Sequence, residues 1–196
     1  MFKEVPQRPN FVEIEKRILD FWKRGDIFKR SVERRKGSPK YILYEGPPTV
    51  NASPGIHHTL SRTFKDIFPR YKTMVGFYAP RKAGWDTHGL PVELEIEEKL
   101  GFRSKAEIED YGIDKFNEEC KRLVLGCIKE WERLTERLGF WIDMDDPYIT
   151  CDDKYIETCW WIIKNLWDRG LIYKAVSYTH LRAHETRHDL VCRLLL

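Results

Sequence analysis

No apolar run in the sequence approaches the roughly 20 residues that a bilayer-crossing helix needs. The opening Met1-Phe2-Lys3-Glu4-Val5-Pro6 also lacks the charged-then-apolar pattern of a secretory signal, so no membrane association is expected. Cysteine is scarce and odd in number: Cys120, Cys127, Cys151, Cys159 and Cys192 include no C-x-x-C pair. That usage supports neither a disulfide framework nor a cysteine zinc site, and reduced thiols in a cytoplasmic protein fit it best. Both glycine signatures of phosphate binding, G-x-x-x-x-G-K-[ST] and G-x-G-x-x-G, are absent. An excess of one charge is missing too. The 34 basic and 31 acidic side chains leave a net charge of +3, too even to argue for nucleic acid by itself.

The chain has 196 residues, 42% of them hydrophobic and 33% charged, which suits one sizeable folded core or slightly more. Phe11, Ile14, Ile18 and Trp22 lie on one helical stripe, which Asn10 can cap and Gly25 can end. The charged stretch 31–39, carrying Gly37-Ser38-Pro39, reads as a loop. Tyr41-Ile42-Leu43-Tyr44 has strand propensity and is broken at once by Gly46-Pro47-Pro48. From Ile56 the pattern turns helical through Leu60, Phe64 and Ile67, and Pro69 is expected to bend or end that helix. Strand, glycine-bearing turn and helix together form the opening unit of a nucleotide-binding α/β domain. Residues 77–80 are a second strand candidate, with a loop after Lys82. Long helices are expected over about 115–138, with Phe116, Leu123, Cys127, Trp131 and Leu134 inward, and over about 152–169, with Ile156, Trp160, Ile163 and Trp167 inward.

Two segments carry chemistry. In the first, Gly46-Pro47-Pro48-Thr49-Val50-Asn51-Ala52-Ser53-Pro54-Gly55-Ile56-His57-His58, paired histidines open a helix after a proline-glycine loop. A helix start offers unpaired N–H groups and the positive end of its dipole, which stabilise a phosphate. Imidazoles in the same turn can donate hydrogen bonds as charge builds on phosphate oxygens. In the second, Gly84-Trp85-Asp86-Thr87-His88-Gly89-Leu90-Pro91, the Asp86 carboxylate can pair an ammonium group beside apolar walls. The bland alternative for this segment is a turn pinned by Gly89 and Pro91.

In combination these segments resemble the class I aminoacyl-tRNA synthetases, and among them the isoleucine enzymes. The likeness continues through Lys65-Asp66-Ile67, Arg70-Tyr71-Lys72-Thr73-Met74, Leu138-Gly139-Phe140-Trp141 and Leu166-Trp167-Asp168-Arg169-Gly170, covering about residues 5–175. One departure stands out. Where the family reads His-Ile-Gly-His, this chain reads Gly55-Ile56-His57-His58, so glycine and histidine have exchanged places. The resemblance implies an α/β fold, the first half of a Rossmann-like catalytic domain with helices at both ends. It implies activation of isoleucine by ATP with Mg2+ and transfer to tRNA, without a structural metal. Pro54, Gly55, Ile56, His57 and His58 are then the expected ATP contacts, with His57 and His58 catalytic. Pro47, Trp85, Asp86 and His88 are the expected amino-acid contacts. The parent protein is expected to be a cytoplasmic monomer.

The implied organisation is a helical segment over 1–40, a partial catalytic domain over 41–175 and a foreign tail over 176–196. The family's Lys-Met-Ser-Lys-Ser signature does not occur, so the chain is expected to be a truncated, inactive fragment. The alternatives are a non-catalytic ATP-binding module, a valine or leucine relative, or a small nucleotidyltransferase. His184-Glu185-Thr186-Arg187-His188 matches the H-E-x-x-H zinc pattern, with His180 one turn earlier. Too few residues follow for a third ligand downstream, and the pattern is taken as a decoy within the tail.

Overall fold

A computed structural model describes residues 8–173 of the chain. The H-E-x-x-H pattern, Cys192 and the segment 176–196 therefore lie outside the described residues. Two compact units divide between Thr150 and Cys151.

The first unit contains, in chain order, α1 (Phe11–Arg24), α2 (Ile27–Glu33), β1 (Leu43–Tyr44), α3 (Ile56–Met74), β2 (Arg81–Trp85), α4 (Leu90–Leu100), α5 (Lys105–Tyr111), α6 (Ile113–Leu138) and β3 (Asp143–Ile149). The three strands form one parallel sheet in the order β1-β2-β3. Parallel neighbours need long crossovers. Helix α3 supplies the first, and α4 to α6 the second. This is the α/β half-domain that the sequence suggested.

Local signals act where they were expected at α1. The Asn10 side chain accepts the Glu13 N–H at 3.3 Å, and Gly25 follows the last turn. Helix α2 begins inside what reads as connecting chain and overlaps the start of the expected 31–39 loop. Its residue Phe28 leans on Trp141, with ring centroids 6.0 Å apart, and this contact draws the segment inward.

The second strand is displaced from the expected position. Residues 77–80 contribute only an isolated bridge from Tyr78 to Lys40, and the paired strand is β2, Arg81-Lys82-Ala83-Gly84-Trp85. Arginine, lysine and glycine have low strand propensity, but β2 is central, and pairing on both edges with burial of Ala83 and Trp85 overrides that preference. Strand β3, acidic and containing Pro147, carried no strand signal. It lies at the sheet edge, where proline is tolerated, and its register slips between Lys82 and Gly84. Nor does Pro69 end α3, which runs on to Met74; the proline is buried, and its carbonyl accepts the Thr73 hydroxyl at 2.7 Å.

The main core cluster joins Val50, Trp85, Val92, Val124, Ile128 and Trp131. Of the expected inner face of α6, Phe116 and Trp131 are buried. Leu123 and Cys127 only flank the cluster, Val124 and Ile128 fill it instead, and Thr135 is buried on the same helix. Helix α3 leaves the apolar residues that mark it as helical uncovered. Ile56, Leu60, Phe64 and Ile67 are exposed, whereas Arg62, Pro69 and Thr73 are buried.

Gly84 marks the tightest approach in the sheet. A Cβ built there would lie 2.6 Å from the Tyr148 hydroxyl and inside the ring's envelope. That hydroxyl donates to the Glu45 carbonyl and so links β3 to the end of β1. Gly84→Ala is therefore expected to displace the ring and lower stability by about 1–3 kcal/mol, as overpacking does. Urea denaturation followed by circular dichroism measures the loss, and an unchanged midpoint would contradict this account of the contact.

In the second unit, the described residues form one helix, α7 (Asp153–Asp168), followed by Gly170 at φ 67°. Its bounds match the sequence reading. The expected burial does not follow, because Trp160 and Trp167 are exposed in the structure and no other described element of this unit is available to cover them.

Candidate functional site

The carboxyl ends of parallel strands open a crevice where α/β domains bind ligands. Here the loop after β1, the loop after β2 and the last residue of β3's extension meet. The Asp86 N–H donates to the Pro48 carbonyl at 3.0 Å, and the Val50 N–H donates to the Asp86 carbonyl at 2.9 Å. These two bonds zip the Gly46-Pro47-Pro48 loop onto the end of β2. They bring Pro47 and Asp86, distant in sequence, into one rim.

The Asp86 carboxylate is held from two sides. Thr49 donates its hydroxyl to Oδ2 at 2.8 Å, and the Thr150 hydroxyl lies 3.4 Å from Oδ1. His88 Nδ1 lies 4.0 Å from Oδ1 and 2.6 Å from the Thr150 hydroxyl. Asp86 stays partly accessible, so its charge can meet a ligand cation. Trp85 does not line this rim. It is wholly buried in the core, and the expected contact with an amino acid gives way to a packing role.

Helix α3 begins beside the same loop. His58 reaches back so that its Nδ1 accepts the Gly55 N–H at 2.9 Å, the return half of a capping box. Burial, followed by the nearby charges of His57, Arg62 and Lys65, holds the His58 pKa below the ordinary histidine value. The ring is thus neutral at pH 7 with its proton on Nε2, a donor beside the positive end of a helix. The His57 ring lies against His58, with centroids 3.8 Å apart. A Cβ at Gly55 would lie 2.8 Å from the His57 ring, so His57 fills the space that a side chain at position 55 would need. Pro54, Gly55 and Ile56 form the bend into the helix; of these, Ile56 is exposed.

Beneath the rim lies a cluster that the sequence did not announce. Glu45, fully buried at the end of β1, has Oε1 3.1 Å from Arg62 Nη1 and 3.5 Å from Lys65 Nζ. Lys65 also donates to the Gly46 carbonyl at 2.7 Å. Arg62 donates to the Thr135 hydroxyl at 2.6 Å and lies among the rings of Trp85, Trp131 and Phe140 at 5.6, 5.7 and 5.3 Å. Burial pushes the Glu45 pKa up and the Arg62 pKa down, and each charge opposes the shift of the other. Two cavities of about 730 and 630 Å3 are lined by other residues, around Tyr78 and Lys82 and around Trp22 and Trp141. At the histidine–aspartate rim, the His88 and Asp86 side chains are partly exposed. No group of three or more metal-ligating side chains occurs among the described residues.

The family model for tRNA synthetases class I (I, L, M and V) matches residues 17–186. The chain belongs to this family. Among curated relatives, the isoleucine–tRNA ligase of Thermus thermophilus is 56% identical over 193 residues, covering 94% of this chain and 18% of that protein. The isoleucine–tRNA ligase of Dehalococcoides mccartyi is 56% identical over 179 residues, covering 91% of this chain and 18% of that protein. This synthetase chain thus spans about a fifth of the length of the relatives it matches. Among solved structures, the LeuRS of Agrobacterium radiobacter in a ternary complex with tRNA and LeuAMS superposes with a TM-score of 0.59 at 20% identity. That likeness covers 81% of this chain and 18% of the other, and it shows the class I fold.

Within the family segment, the structure brings together Pro47, Asp86 and His88 at one rim and His57 and His58 at the adjacent helix start. Thr49, Thr150, Glu45, Arg62 and Lys65 were missed. Thr49 sits inside the quoted loop and could have been found as a hydroxyl in a ligand loop. Thr150 lies 64 positions from Asp86 and carries no local signal.

Proposed function

We propose that this chain is the amino-terminal part of an isoleucine–tRNA ligase and carries one half of the site that activates isoleucine with ATP. The observation that carries this reading is the Asp86 carboxylate, held by Thr49 and Thr150 beside a helix start whose His58 presents Nε2–H. The 56% identity to isoleucine–tRNA ligases supports the choice of amino acid.

On this reading Asp86 takes the ammonium group of isoleucine, at the rim formed with Pro47 and His88. ATP arrives with Mg2+, which neutralises phosphate charge. The first turn of α3 faces the phosphates, with Pro54, Gly55 and Ile56 letting the chain approach and His58 donating from Nε2. His57 stands in for the histidine that the family usually has at position 55, since its ring occupies that space. The isoleucine carboxylate attacks the α-phosphorus, the bond to the bridging oxygen breaks, and pyrophosphate leaves. Histidine and helix end stabilise the charge that builds on the phosphate oxygens, and no covalent enzyme intermediate is needed. Transfer to tRNA and the discrimination against valine draw on parts of the parent protein outside this chain.

Titration of the 15N-histidine-labelled chain with ATP and Mg2+ is expected to move the His57 and His58 resonances. Isoleucine should move His88. His58→Ala should weaken ATP binding by about tenfold, the loss of one charge-assisted hydrogen bond. Isoleucine-dependent pyrophosphate exchange by the 196-residue chain alone is expected to stay at background. Histidine resonances unmoved by either ligand would sink the site assignment, and clear exchange would overturn the half-site reading.

A further inference from the structure

Thr150 belongs to neither motif, yet it is the common partner of the three polar side chains that follow β2, Asp86, Thr87 and His88. It is buried at 4% exposure at the end of β3, where its N–H donates to the Trp85 carbonyl at 3.1 Å. Its hydroxyl oxygen receives the Thr87 N–H at 2.9 Å. The same oxygen lies 2.6 Å from His88 Nδ1, 3.4 Å from Asp86 Oδ1 and 3.4 Å from the Thr87 hydroxyl.

A hydroxyl has one proton to give and two lone pairs. One lone pair is taken by the Thr87 N–H. The 2.6 Å contact with His88 can then be made in two ways. If Thr150 donates to Nδ1, the imidazole carries its proton on Nε2, and Asp86 Oδ1 receives nothing from Thr150. If Nδ1 carries a proton and donates, the second lone pair is used and the hydroxyl proton turns to Asp86 or Thr87. The direction of one O–H bond therefore links the imidazole to the carboxylate.

We propose that Thr150 is a positioning residue of the amino-acid site, whose hydroxyl fixes the His88 ring beside Asp86 and sets which nitrogen of that ring bears the proton. The proposal rests on the reading of Asp86 as the ammonium acceptor. An ammonium group on Asp86 competes for the Oδ1 lone pairs and favours the arrangement in which Thr150 donates to Nδ1. His88 then offers Nε2–H, a donor suited to the carboxylate end of the same zwitterion. Thr49 keeps its bond to Oδ2 in either arrangement.

The test is long-range 1H–15N spectroscopy of the histidine-labelled 196-residue chain, with the His88 signals assigned by their loss in His88→Gln. His88 in the unsubstituted chain is expected to hold one tautomer, shifting toward Nε2–H on addition of isoleucine. Thr150→Val keeps the shape and removes the hydroxyl. It should give His88 a mixture of tautomers and lower isoleucine affinity about 3- to 10-fold, the range for one hydrogen bond. Thr150→Ser should restore both the tautomer and the affinity. A His88 spectrum unaffected by Thr150→Val, or a serine variant that fails to restore it, overturns the proposal. Should the chain bind no isoleucine, the reading of Asp86 fails. The tautomer comparison between the free proteins still decides the role of Thr150.

Discussion

Arg62→Met is expected to destabilise the first unit by about 3–5 kcal/mol, the usual result of removing one partner of a buried ion pair. The guanidinium sits among three aromatic rings, 2% exposed, with Glu45 at 3.1 Å. Methionine fills much of the same space but leaves the fully buried Glu45 facing Lys65 alone at 3.5 Å. A loss of that size is a large share of the roughly 5–15 kcal/mol that holds a domain folded. The pH dependence gives a second check. Burial already raises the Glu45 pKa, and Arg62 is the strongest influence pulling it down. Without Arg62 the carboxyl binds its proton more tightly in the folded state than in the unfolded chain. Stability from that proton is complete below the unfolded value of 4.5 and drains away as pH rises toward the folded value. The deficit of Arg62→Met should thus be smaller at about pH 5 than at neutral pH. Adding Glu45→Gln should recover part of the loss at neutral pH, because no buried charge then remains unpaired. Urea midpoints of the single and double variants at both pH values measure this. Equal deficits at both would show that packing, not charge, is what Arg62 supplies.

Trp131→Ala should lower stability by a comparable amount, about 3–5 kcal/mol, through loss of buried area and the cavity left behind. Its consequence for the site differs. Trp131 lies on α6, 1% exposed in the main core, and its Nε1–H donates to the Ala52 carbonyl at 3.0 Å. Its ring meets His58 edge-on, with centroids 4.6 Å apart. One side chain thereby holds the Pro47–Pro54 loop and the first turn of α3 against the helix beneath. Trp131→Phe keeps most of the apolar surface and removes the hydrogen bond, so it should lose only about 1 kcal/mol. Both variants should shift the His58 resonances, because the ring loses its aromatic neighbour or its fixed distance from it. Circular dichroism with urea gives the stabilities and 15N-histidine spectra give the local effect. A phenylalanine variant as unstable as the alanine one would mean that the indole N–H, rather than packed area, anchors the loop.

These expectations concern residues of unequal legibility. Asn10, Gly25 and the apolar spacing of α1 could be read directly, since capping and helical period act within a few residues. The bounds of α6 and α7 followed for the same reason. Strand β3 could not be read. Its acidic, proline-containing sequence becomes a strand only because β2 offers an edge to pair with. The burial of α3 could not be read either. Period identifies a helix but not the face that is covered, and here the covered face carries Arg62 because Glu45, from a different strand, is there to pair with it.

The candidate site divides along the same line. By themselves, the residues Gly46 to His58 and Gly84 to Pro91 determined the family, the α/β class and most of the candidate residues at the rim, because these are properties of short contiguous motifs. Only the tertiary structure decided that Trp85 is core, that His57 occupies the space beside Gly55, and that Thr150 joins Asp86 to His88. Each of those depends on strand register and helix placement. Such relations are set by pairing between segments far apart in the chain, where no local propensity reaches.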